Sequence, residues 1–491
     1  MVKNIILLII FVLLIGRGVG QKLQQNVPFR SFNRPYMEYL FNADHLRTRY
    51  IFNQPYNLSS LKMHLNHEVA GYLVKHWKHY YQPQKTVLFL MLEDRLMSDN
   101  TIYNRYRFDG GVVYADEHIT FVNRTTVDQD YKSDPLFAGD LSEADHWLFG
   151  RVNDAYMDIH NQHFSFFIGR TSRNWGPPFI KSLILSDNPY TYDHIRFSYN
   201  NSRLKLSLLF GRLEDMDGYS FKHPDSLIHE ARKYLVGHRL DWIINDRMQI
   251  AFTEMATYGG PDKDIELEFL NPMQFYYPVQ RNDRKEMNGL WAVDFWFQPA
   301  DKVHLFTQFL IDDIIVNNDP GVDDRDRYPD RLGLHLSVST ADRFIKALNT
   351  TFTYTRVWNR TYQAKFTWQN YHYRGYSLGY PCVSCEEFKL RWSYWALFPF
   401  WIENETVYGR YGSPQVTDLF PLTKETFPRP PVQYNIINRF SMHYDWSSRI
   451  QSYMKFMYRR APDHYSNRFG HNNQWILSTG FRWLLTTGLS I

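Results

Sequence analysis

The sequence predicts an all-β membrane protein: a closed antiparallel β-barrel of the outer membrane, with a small N-terminal helical element. Three features of the chain predict it, namely an export signal, a high aromatic content, and strands in which apolar and polar side chains alternate. We expect about 16 to 18 strands, an even number as in bacterial single-chain barrels.

The first residues of the chain predict a secretory signal peptide. One positive charge at Lys3 precedes an unbroken apolar run over residues 5–15, and small residues follow up to Gly20. This order is typical of a cleaved export signal, and the run is too short to cross a bilayer as a helix. We therefore expect cleavage after Gly20 and export to the outer membrane.

The aromatic content suits a barrel better than a soluble core. Aromatic residues make up 17% of the chain, with 36 Phe, 35 Tyr and 14 Trp. Tyr and Trp are favoured at both surfaces of a membrane, where one end of the side chain is apolar and the other is wet. The apolar run at 395–402 is interrupted by Pro399, so we expect strands rather than helices to cross the membrane.

Period-two alternation is the direct signal for strands. Residues 203–210 place Leu on every second position, and residues 331–338 and 475–485 repeat the pattern. Polar tracts at 215–230 and 316–330 are predicted to be outer loops, whereas 244–247 and 298–302 are predicted to be tight turns. Alternation of short turns with long loops is the hairpin pattern of such barrels.

The N-terminal part differs from the rest. Residues 57–81 place apolar side chains near helical spacing, so we interpret residues 30 to about 82 as a helical element packed under or inside the barrel. The chain is divided into a signal peptide (1–20), an N-terminal region with the helical element and the first strands (21–146), and the barrel (147–491).

Charge and cysteine content add few constraints. The net charge of +4 gives no indication of a nucleic-acid partner. Cys382 and Cys385 are the only cysteines and have C-x-x-C spacing. No second pair completes a four-thiolate zinc site, and in an exported protein a local disulfide is the favoured interpretation.

No metal or cofactor is predicted. The histidines near the N-terminus do not form an H-E-x-x-H motif and are interpreted as a solvated face; they are His64, His67, His76 and His79. A group of aspartates at 312–330 could offer calcium its oxygen ligands, but arginines interleave with them, so a self-neutralised loop is favoured.

No enzyme is predicted either. Residues 375–379 read G-x-S-x-G around Ser377. The nucleophile elbow with that motif needs a helix immediately after it. Pro381 follows here and forbids a continuing helix, so a glycine-flanked turn is favoured over a hydrolase.

Three segments resemble the Wzi-type capsule assembly family of outer-membrane proteins. They are GRTSRNWGPPFIKSLILSDNP at 169–189, the stretch EFLNPMQFYYPVQRNDRKEMNGLWAVDFWFQPADKVHLFTQFLIDDI at 268–314, and YHYRGYSLGY at 371–380. The resemblance covers the chain from about residue 147 to its end. It implies a lectin-like barrel that binds capsular polysaccharide, or a related exopolysaccharide, and helps attach or assemble it at the cell surface.

The first of these segments contains the candidate binding residues, Arg170, Arg173 and Trp175. An indole can stack on the apolar face of a sugar ring, and the planar guanidinium of Arg matches a carboxylate. The alternative is that these side chains pack inside the barrel against acidic residues. The adjacent Pro177 and Pro178 exclude a helix interior or a central strand.

The alternatives to polysaccharide binding are a porin-like passive channel and, less favoured, an outer-membrane hydrolase centred on Ser377. The partners expected are surface polysaccharide and outer-membrane lipid, together with other components of capsule export. A porin needs an open lumen, whereas a barrel of this family is expected to be plugged.

Overall fold

The computed structural model describes the chain in segments, namely residues 34–55, 61–63, 86–98, 102–116, 118–129, 150–220, 223–271, 273–282, 285–314, 330–418, 425–447, 449–460 and 473–489. The predicted signal peptide lies outside the described residues. None of the helices in these segments has the length and apolar character needed to cross a bilayer.

The described residues form a closed antiparallel barrel of eighteen strands, which confirms the predicted fold class. In chain order the elements are α1 (Arg34–Asn42), β1 (Leu46–Thr48), β2 (Asn53–Gln54), β3 (Leu61–Met63), β4 (Thr86–Ser98), β5 (Ile102–Ala115), β6 (Ile119–Asp128), β7 (Gly150–His160), β8 (Phe164–Arg170), β9 (Asn174–Trp175), β10 (Asp193–Asn200), β11 (Leu204–Arg212), β12 (Met216–Ser220), β13 (His223–Asn245), β14 (Met248–Gly260), a 3-10 helix (Leu267–Leu270), α2 (Tyr276–Asn282), β15 (Met287–Ala300), β16 (Val303–Asp313), β17 (Arg331–Ala341), β18 (Leu348–Val357), a 3-10 helix (Thr367–Gln369), β19 (His372–Tyr373), β20 (Tyr376–Ser377), β21 (Cys385–Tyr394), β22 (Phe400–Tyr411), β23 (Gln433–Ser447), β24 (Ile450–Arg460) and β25 (Asn473–Leu489).

Each strand of the wall pairs with its neighbours, and β25 closes the ring on β4, with Trp483 opposite Leu92. The wall consists of β4–β8, β10, β11, β13–β18 and β21–β25. Strand β12 is an addition to this ring. It pairs with residues 223–231, which form the N-terminal end of the long strand β13. The predicted loop at 215–230 is therefore largely a β-hairpin that extends the wall.

The alternating pattern of the sequence maps onto the two faces of the wall. In β16 the buried residues His304, Phe306 and Gln308 face the lumen, and the residues between them face outward. The Leu positions predicted to share a face point outward, as at Leu204 and Leu336, which are 38% and 42% exposed. An apolar outer belt around a polar lumen is the architecture of an outer-membrane barrel.

The two ends of the barrel differ in their connections. At one end the strands are joined by short turns, including the predicted turns at 246–247 and 301–302. The opposite end has the long connections, such as 171–192, 261–286 and 358–384. Short turns face the periplasm and long loops face the cell exterior in barrels of this class, so we call the two ends the periplasmic end and the outer end.

The N-terminal segment enters the barrel at the periplasmic end. The Tyr36 hydroxyl of α1 donates to Asp445, and the Tyr39 hydroxyl donates to Asp342 at 3.0 Å. Burial, together with the Asp342 carboxylate, raises the pKa of Tyr39 far above its usual value, so the phenol stays protonated. Its Glu38 carboxylate accepts a hydrogen bond from Arg391 of the wall. Helix α1 therefore plugs this end of the lumen.

The structure moves the start of the barrel and locates the N-terminal helix. The wall begins at Thr86, so three strands, β4 to β6, precede the predicted boundary at residue 147. Helix α1 lies within the helical element predicted at 30 to about 82. Within 57–81, the described residues 61–63 are not helical, because they form β3 and pair with β1. Residues 64–85, which include the four histidines, lie outside the described residues.

Two long connections fill the lumen from the outer end. Within 171–192, β9 pairs with β2 of the N-terminal segment, which joins the two plugs in the barrel interior. The mid-wall Gln308 accepts a hydrogen bond from the Leu183 N–H at 2.5 Å and donates to the Trp175 carbonyl at 3.1 Å. Connection 358–384 packs against connection 171–192, and the Tyr362 hydroxyl donates to the Leu183 carbonyl at 2.5 Å.

Candidate functional site

A short hairpin in connection 358–384 presents an arginine at the outer end. Strands β19 and β20 pair directly, and the two residues between them, Arg374 and Gly375, have φ angles of 50° and 80°. Positive φ at both central positions defines the tight type I′ turn, in which glycine is favoured. This turn projects the exposed Arg374 beyond the packed interior.

The Arg374 guanidinium lies between two tyrosine rings. Its carbon is 5.7 Å from the ring centroid of Tyr190 and 5.3 Å from that of Tyr373. Among the described residues no carboxylate forms an ion pair with it. The site therefore offers an accessible cation in contact with aromatic faces.

A second arginine lies beside this group. Arg170, at the end of β8, donates two hydrogen bonds to the exposed Asp193, at 2.6 and 3.3 Å. Tyr373 lies close enough to both Arg374 and Arg170 to feel their charges, although burial is the dominant influence and raises its pKa. We call Arg170, Tyr190, Asp193, Tyr373 and Arg374 the rim site.

A buried carboxylate holds the hairpin in place. Glu214 accepts a hydrogen bond from the Arg374 backbone N–H and lies 3.4 Å from His372 Nδ1. Burial opposes its ionisation, but His372, the Lys233 ammonium at 4.0 Å and the Arg374 N–H together lower the pKa of Glu214. Burial, with Lys233 adding to it, lowers the pKa of His372 to about 4, so this ring is neutral at pH 7.

The candidate residues Arg173 and Trp175 lie in the interior rather than on a surface. Trp175 is 0% exposed, and its backbone N–H donates to the Leu185 carbonyl at 2.8 Å. Arg173 is 2% exposed; it stacks on Phe167 at 4.4 Å and donates from Nε to His194 at 2.6 Å. Of the three residues proposed from the sequence, only Arg170 reaches the rim site.

A chain of contacts joins Arg173 to the rim site. His194 donates from Nδ1 to the Tyr192 carbonyl at 3.0 Å, which leaves Nε2 free to accept from Arg173. The Tyr192 ring then packs edge-on against Tyr373, 5.7 Å between centroids. Arg173 is therefore placed to position the rim site, although it cannot contact a ligand there.

The rim site has the groups needed to hold an acidic sugar polymer. The half-buried Tyr190 can offer a ring face to the C–H surface of a sugar ring, whereas Tyr373 is 6% exposed and supports the site from within. Arg374 can form a forked, charge-assisted pair with a carboxylate. Arg170 is already paired with Asp193, so it supports the site. Its guanidinium also attracts the same acidic groups of a ligand as Arg374 does.

The G-x-S-x-G segment does not form a nucleophile elbow. Ser377 is 2% exposed, and its hydroxyl oxygen accepts a hydrogen bond from the Gly379 N–H at 3.1 Å. The chain continues from β20 without a helix. Gly379 is needed for packing, because a side chain there would meet the Leu183 carbonyl 2.2 Å away.

Cys382 and Cys385 form a disulfide, as predicted from their spacing. It closes the base of connection 358–384, where the two cysteines are 5% and 0% exposed. Their burial places the disulfide in the cluster that packs under the rim site.

The acidic segment is paired where the structure describes it. Arg331 lies 3.2 Å from Asp312 and 3.0 Å from Asp313, which agrees with the predicted self-neutralisation. Residues 315–329 lie outside the described residues. Within the described ranges, no group of three or more His, Cys, Asp or Glu side chains is arranged to hold a metal ion.

Sequence reasoning did not single out Arg374, Tyr190 or Tyr373 as binding residues. The signal was present, because YHYRGY at 371–376 places an arginine and a glycine between aromatics. That pattern is a hairpin tip of type I′. Its contact with Tyr190, nearly two hundred residues away, depends on the closed barrel.

Fold and site together define a plugged outer-membrane barrel with an arginine–tyrosine site at its outer end. Residues 104–395, more than half of the chain, match the family described as capsule assembly protein Wzi. The chain belongs to this family, as the resemblance of its sequence segments predicted.

Solved structures show the same architecture. The chain is similar to Wzi of Escherichia coli, described as an outer-membrane protein involved in group 1 capsule assembly and a carbohydrate-binding β-barrel; the identity is 12%, the TM-score 0.62, and the match covers 96% of this chain and 100% of that one. The identity is low, so this likeness shows the fold alone.

More distant matches include two Pseudomonas aeruginosa proteins. OccD3 (OpdP) is 11% identical over 82% of this chain and 92% of its own length, with a TM-score of 0.48. OccK10 (OpdN) is 9% identical over 82% and 99%, with a TM-score of 0.46. None of the curated proteins compared matches the chain.

Proposed function

We propose that this protein binds capsular polysaccharide, or a related exopolysaccharide, at the outer end of its barrel and helps attach or assemble the polymer at the cell surface. The observation that supports this most directly is the rim site. An exposed arginine without an ion-pair partner among the described residues lies against two tyrosine rings on a tight hairpin.

The position of the site supports the same proposal. The outer end faces the exterior, where surface polymer lies. The hairpin is fixed by Glu214 from below and by the Tyr192–Tyr373 contact from the side. A preformed site loses little conformational freedom on binding, so weak contacts with single sugars still give useful affinity along a repeating chain.

The filled interior argues against the porin alternative. Helix α1 occupies the periplasmic end, and connections 171–192 and 358–384 pack above it. Buried side chains of the wall join both plugs in two apolar clusters that include Trp401 and Trp175. A passive channel needs a continuous water-filled path, and these elements take up part of the space that such a path would need.

Arg374→Ala is expected to weaken polysaccharide binding. One exposed charge-assisted or cation–π contact is worth about 1 kcal/mol, which corresponds to about fivefold in affinity for one repeat unit. Losses along a polymer multiply, so retention on cells should fall further. The measurement is binding of purified protein to immobilised capsular polysaccharide, repeated at high salt, which screens the charged term.

Arg343→Ala is the matched control. Arg343 is also exposed and also has no ion-pair partner among the described residues, but it lies in the periplasmic turn between β17 and β18. Binding should be unchanged in this variant. Equal binding by the Arg374 and Arg343 variants would remove the rim site from the proposal and leave the function to be located elsewhere.

We also propose that the protein is not an enzyme. Ser377→Ala removes the only hydroxyl that fits the hydrolase motif, and the buried position of Ser377 makes a structural role the simpler one. We expect the variant to assemble and to retain polymer like the wild type. Ester hydrolysis by the purified wild type, lost in Ser377→Ala, would show that the protein is an enzyme.

A role alongside other capsule-export components stays a prediction. The outer-membrane location and the family support it.

A further inference from the structure

The connection between β14 and β15 folds down over the outside of the barrel. On the upper parts of β13 and β14, outward-facing Tyr234, Val236 and Tyr258 are 3%, 0% and 1% exposed. Nearer the periplasmic end of the same strands, outward-facing Trp242 and Phe252 are each 46% exposed. Protein therefore covers the upper wall, whereas the lower wall faces lipid. We call the described residues of this connection, 261–271, 273–282 and 285–286, the outer flap.

A buried carboxylate fixes the outer flap to the wall. Glu254 points outward, because its neighbour Met255 belongs to the interior cluster. It is 4% exposed, and its Oε1 accepts from the N–H of Tyr276 at 3.0 Å and from the indole N–H of Trp291 at 2.7 Å. Its Oε2 lies 3.0 Å from His238 Nε2.

This arrangement explains how the carboxylate of Glu254 is tolerated on the outward face of the wall. A bare carboxylate on the lipid-facing surface of a barrel is destabilising, because nothing there can hydrogen-bond to it. The flap supplies the Tyr276 N–H, and the wall itself supplies the indole N–H of Trp291 and the ring of His238. A stack of rings adds apolar contact, with Phe269 of the flap 4.3 Å from Tyr258 of the wall and 5.8 Å from Tyr276. The flap is therefore docked in one specific position.

The outward face of the flap is itself apolar. Its exposed apolar side chains are Ile265 (52%), Leu267 (67%), Leu270 (40%), Met273 (83%), Phe275 (65%) and Tyr277 (46%). This face continues the lipid-facing belt, because Tyr277 packs on the exposed Trp291 of β15, 5.6 Å between centroids.

Among the described residues, the ion pairs of the flap lie near the outer ends of the strands that it joins. Arg232 pairs with Asp264, and Lys285 lies 3.1 Å from Glu266. A polar upper edge over an apolar face is the arrangement expected where headgroups meet acyl chains.

We propose that the outer flap is embedded in the outer leaflet of the membrane, with its apolar face against lipid acyl chains. The continuity of this face with the lipid-facing belt selects lipid as the occupant over a second copy of the chain or a water-exposed ligand. The flap then widens the barrel within the outer leaflet only.

A single spin label at Met273 tests the proposal. The only two cysteines form the disulfide, so Met273→Cys is a unique labelling site in the full-length protein. We expect its collision rate in outer-membrane lipid vesicles to be high with lipid-soluble oxygen and low with a water-soluble nickel chelate. Labels at Leu240→Cys, on the lipid-facing belt, and at Arg374→Cys, at the rim, give the two reference values.

The proposal predicts that the Met273 label resembles the Leu240 label. It is overturned if the Met273 label resembles the Arg374 label, or if short label-to-label distances between molecules show that a second copy covers the face. If Met273→Cys does not assemble, Phe275→Cys provides the same measurement. Adding Glu254→Ala should release the flap and raise the accessibility of the Met273 label to nickel.

Discussion

A variant in which Arg173 and Trp175 are both replaced by alanine is expected to assemble its barrel and yet release much of its polysaccharide into the medium. Trp175 is completely buried where 171–192 meets the N-terminal segment. Truncating a buried Trp to Ala costs about 3–5 kcal/mol. The wall strands pair with one another independently of this residue, so the loss should fall on the plug.

The effect on binding is transmitted through packing. Without Arg173, His194 Nε2 loses its donor, so the histidine ring that hydrogen-bonds to Tyr192, and through it the contact with Tyr373, is held less firmly. The measurements are heat-modifiable migration, which reports the barrel, and the ratio of cell-bound to released polymer. Arg343→Ala combined with Trp446→Ala, which truncates an exposed Arg and a Trp that is 65% exposed, is the control and should retain polymer. Normal retention by the interior double variant would limit Arg173 and Trp175 to packing.

Arg391→Ala is expected to loosen both plugs at once. Its guanidinium donates to Glu38 of α1 and, at 3.4 Å, to the Phe179 carbonyl of 171–192. Removing one partner of a buried ion pair leaves an uncompensated charge and costs about 3–5 kcal/mol. We expect measurable single-channel conductance in this variant and none in the wild type, with the barrel still assembled.

The double variant Glu38→Ala with Arg391→Ala separates charge from packing. It removes both members of the pair, so it should be less destabilised than Arg391→Ala alone. Conductance should accordingly be lower than in the single variant. A single variant as closed as the wild type would show that α1 is held by its apolar contacts, such as those of Tyr36 with Trp395 and Trp401.

Local patterns predicted much of the wall. Period-two alternation placed the strands at Leu204–Arg212 and Arg331–Ala341 and identified their outward faces, because the alternation is a direct consequence of strand geometry. The tight turns at 246–247 and 301–302 and the Cys382–Cys385 disulfide were likewise predicted from short-range sequence.

The interior of the barrel could not be predicted in the same way. A loop of arginine, tryptophan and proline is compatible with an exposed binding surface or with a lumen filled by polar and aromatic side chains. Only closure of the wall shows that 171–192 turns inward and meets β2. The sequence therefore drew attention to Arg173 and Trp175 but did not predict that both side chains are buried in the lumen.

The first strands, expected within 21–146, were not assigned to the barrel wall, for a different reason. Strand β5 contains Gly110 and Gly111 as well as charged residues, so its alternation is weak. Glycine is required at position 111 because the backbone of β6 lies very close. A side chain there would meet the Asn123 carbonyl at 1.9 Å. Pairing between β25 and β4 joins the two ends of the chain, a contact that no local window contains.

Binding and conductance measured on one preparation of purified wild-type protein test the central claim most directly. The preparation is applied to an array of acidic and neutral surface polysaccharides, and the same sample is inserted into planar bilayers. A plugged binding barrel predicts salt-sensitive binding to acidic polysaccharide, weaker in Arg374→Ala, together with closed bilayers. Steady conductance without polysaccharide binding would contradict this account and identify a porin-like channel.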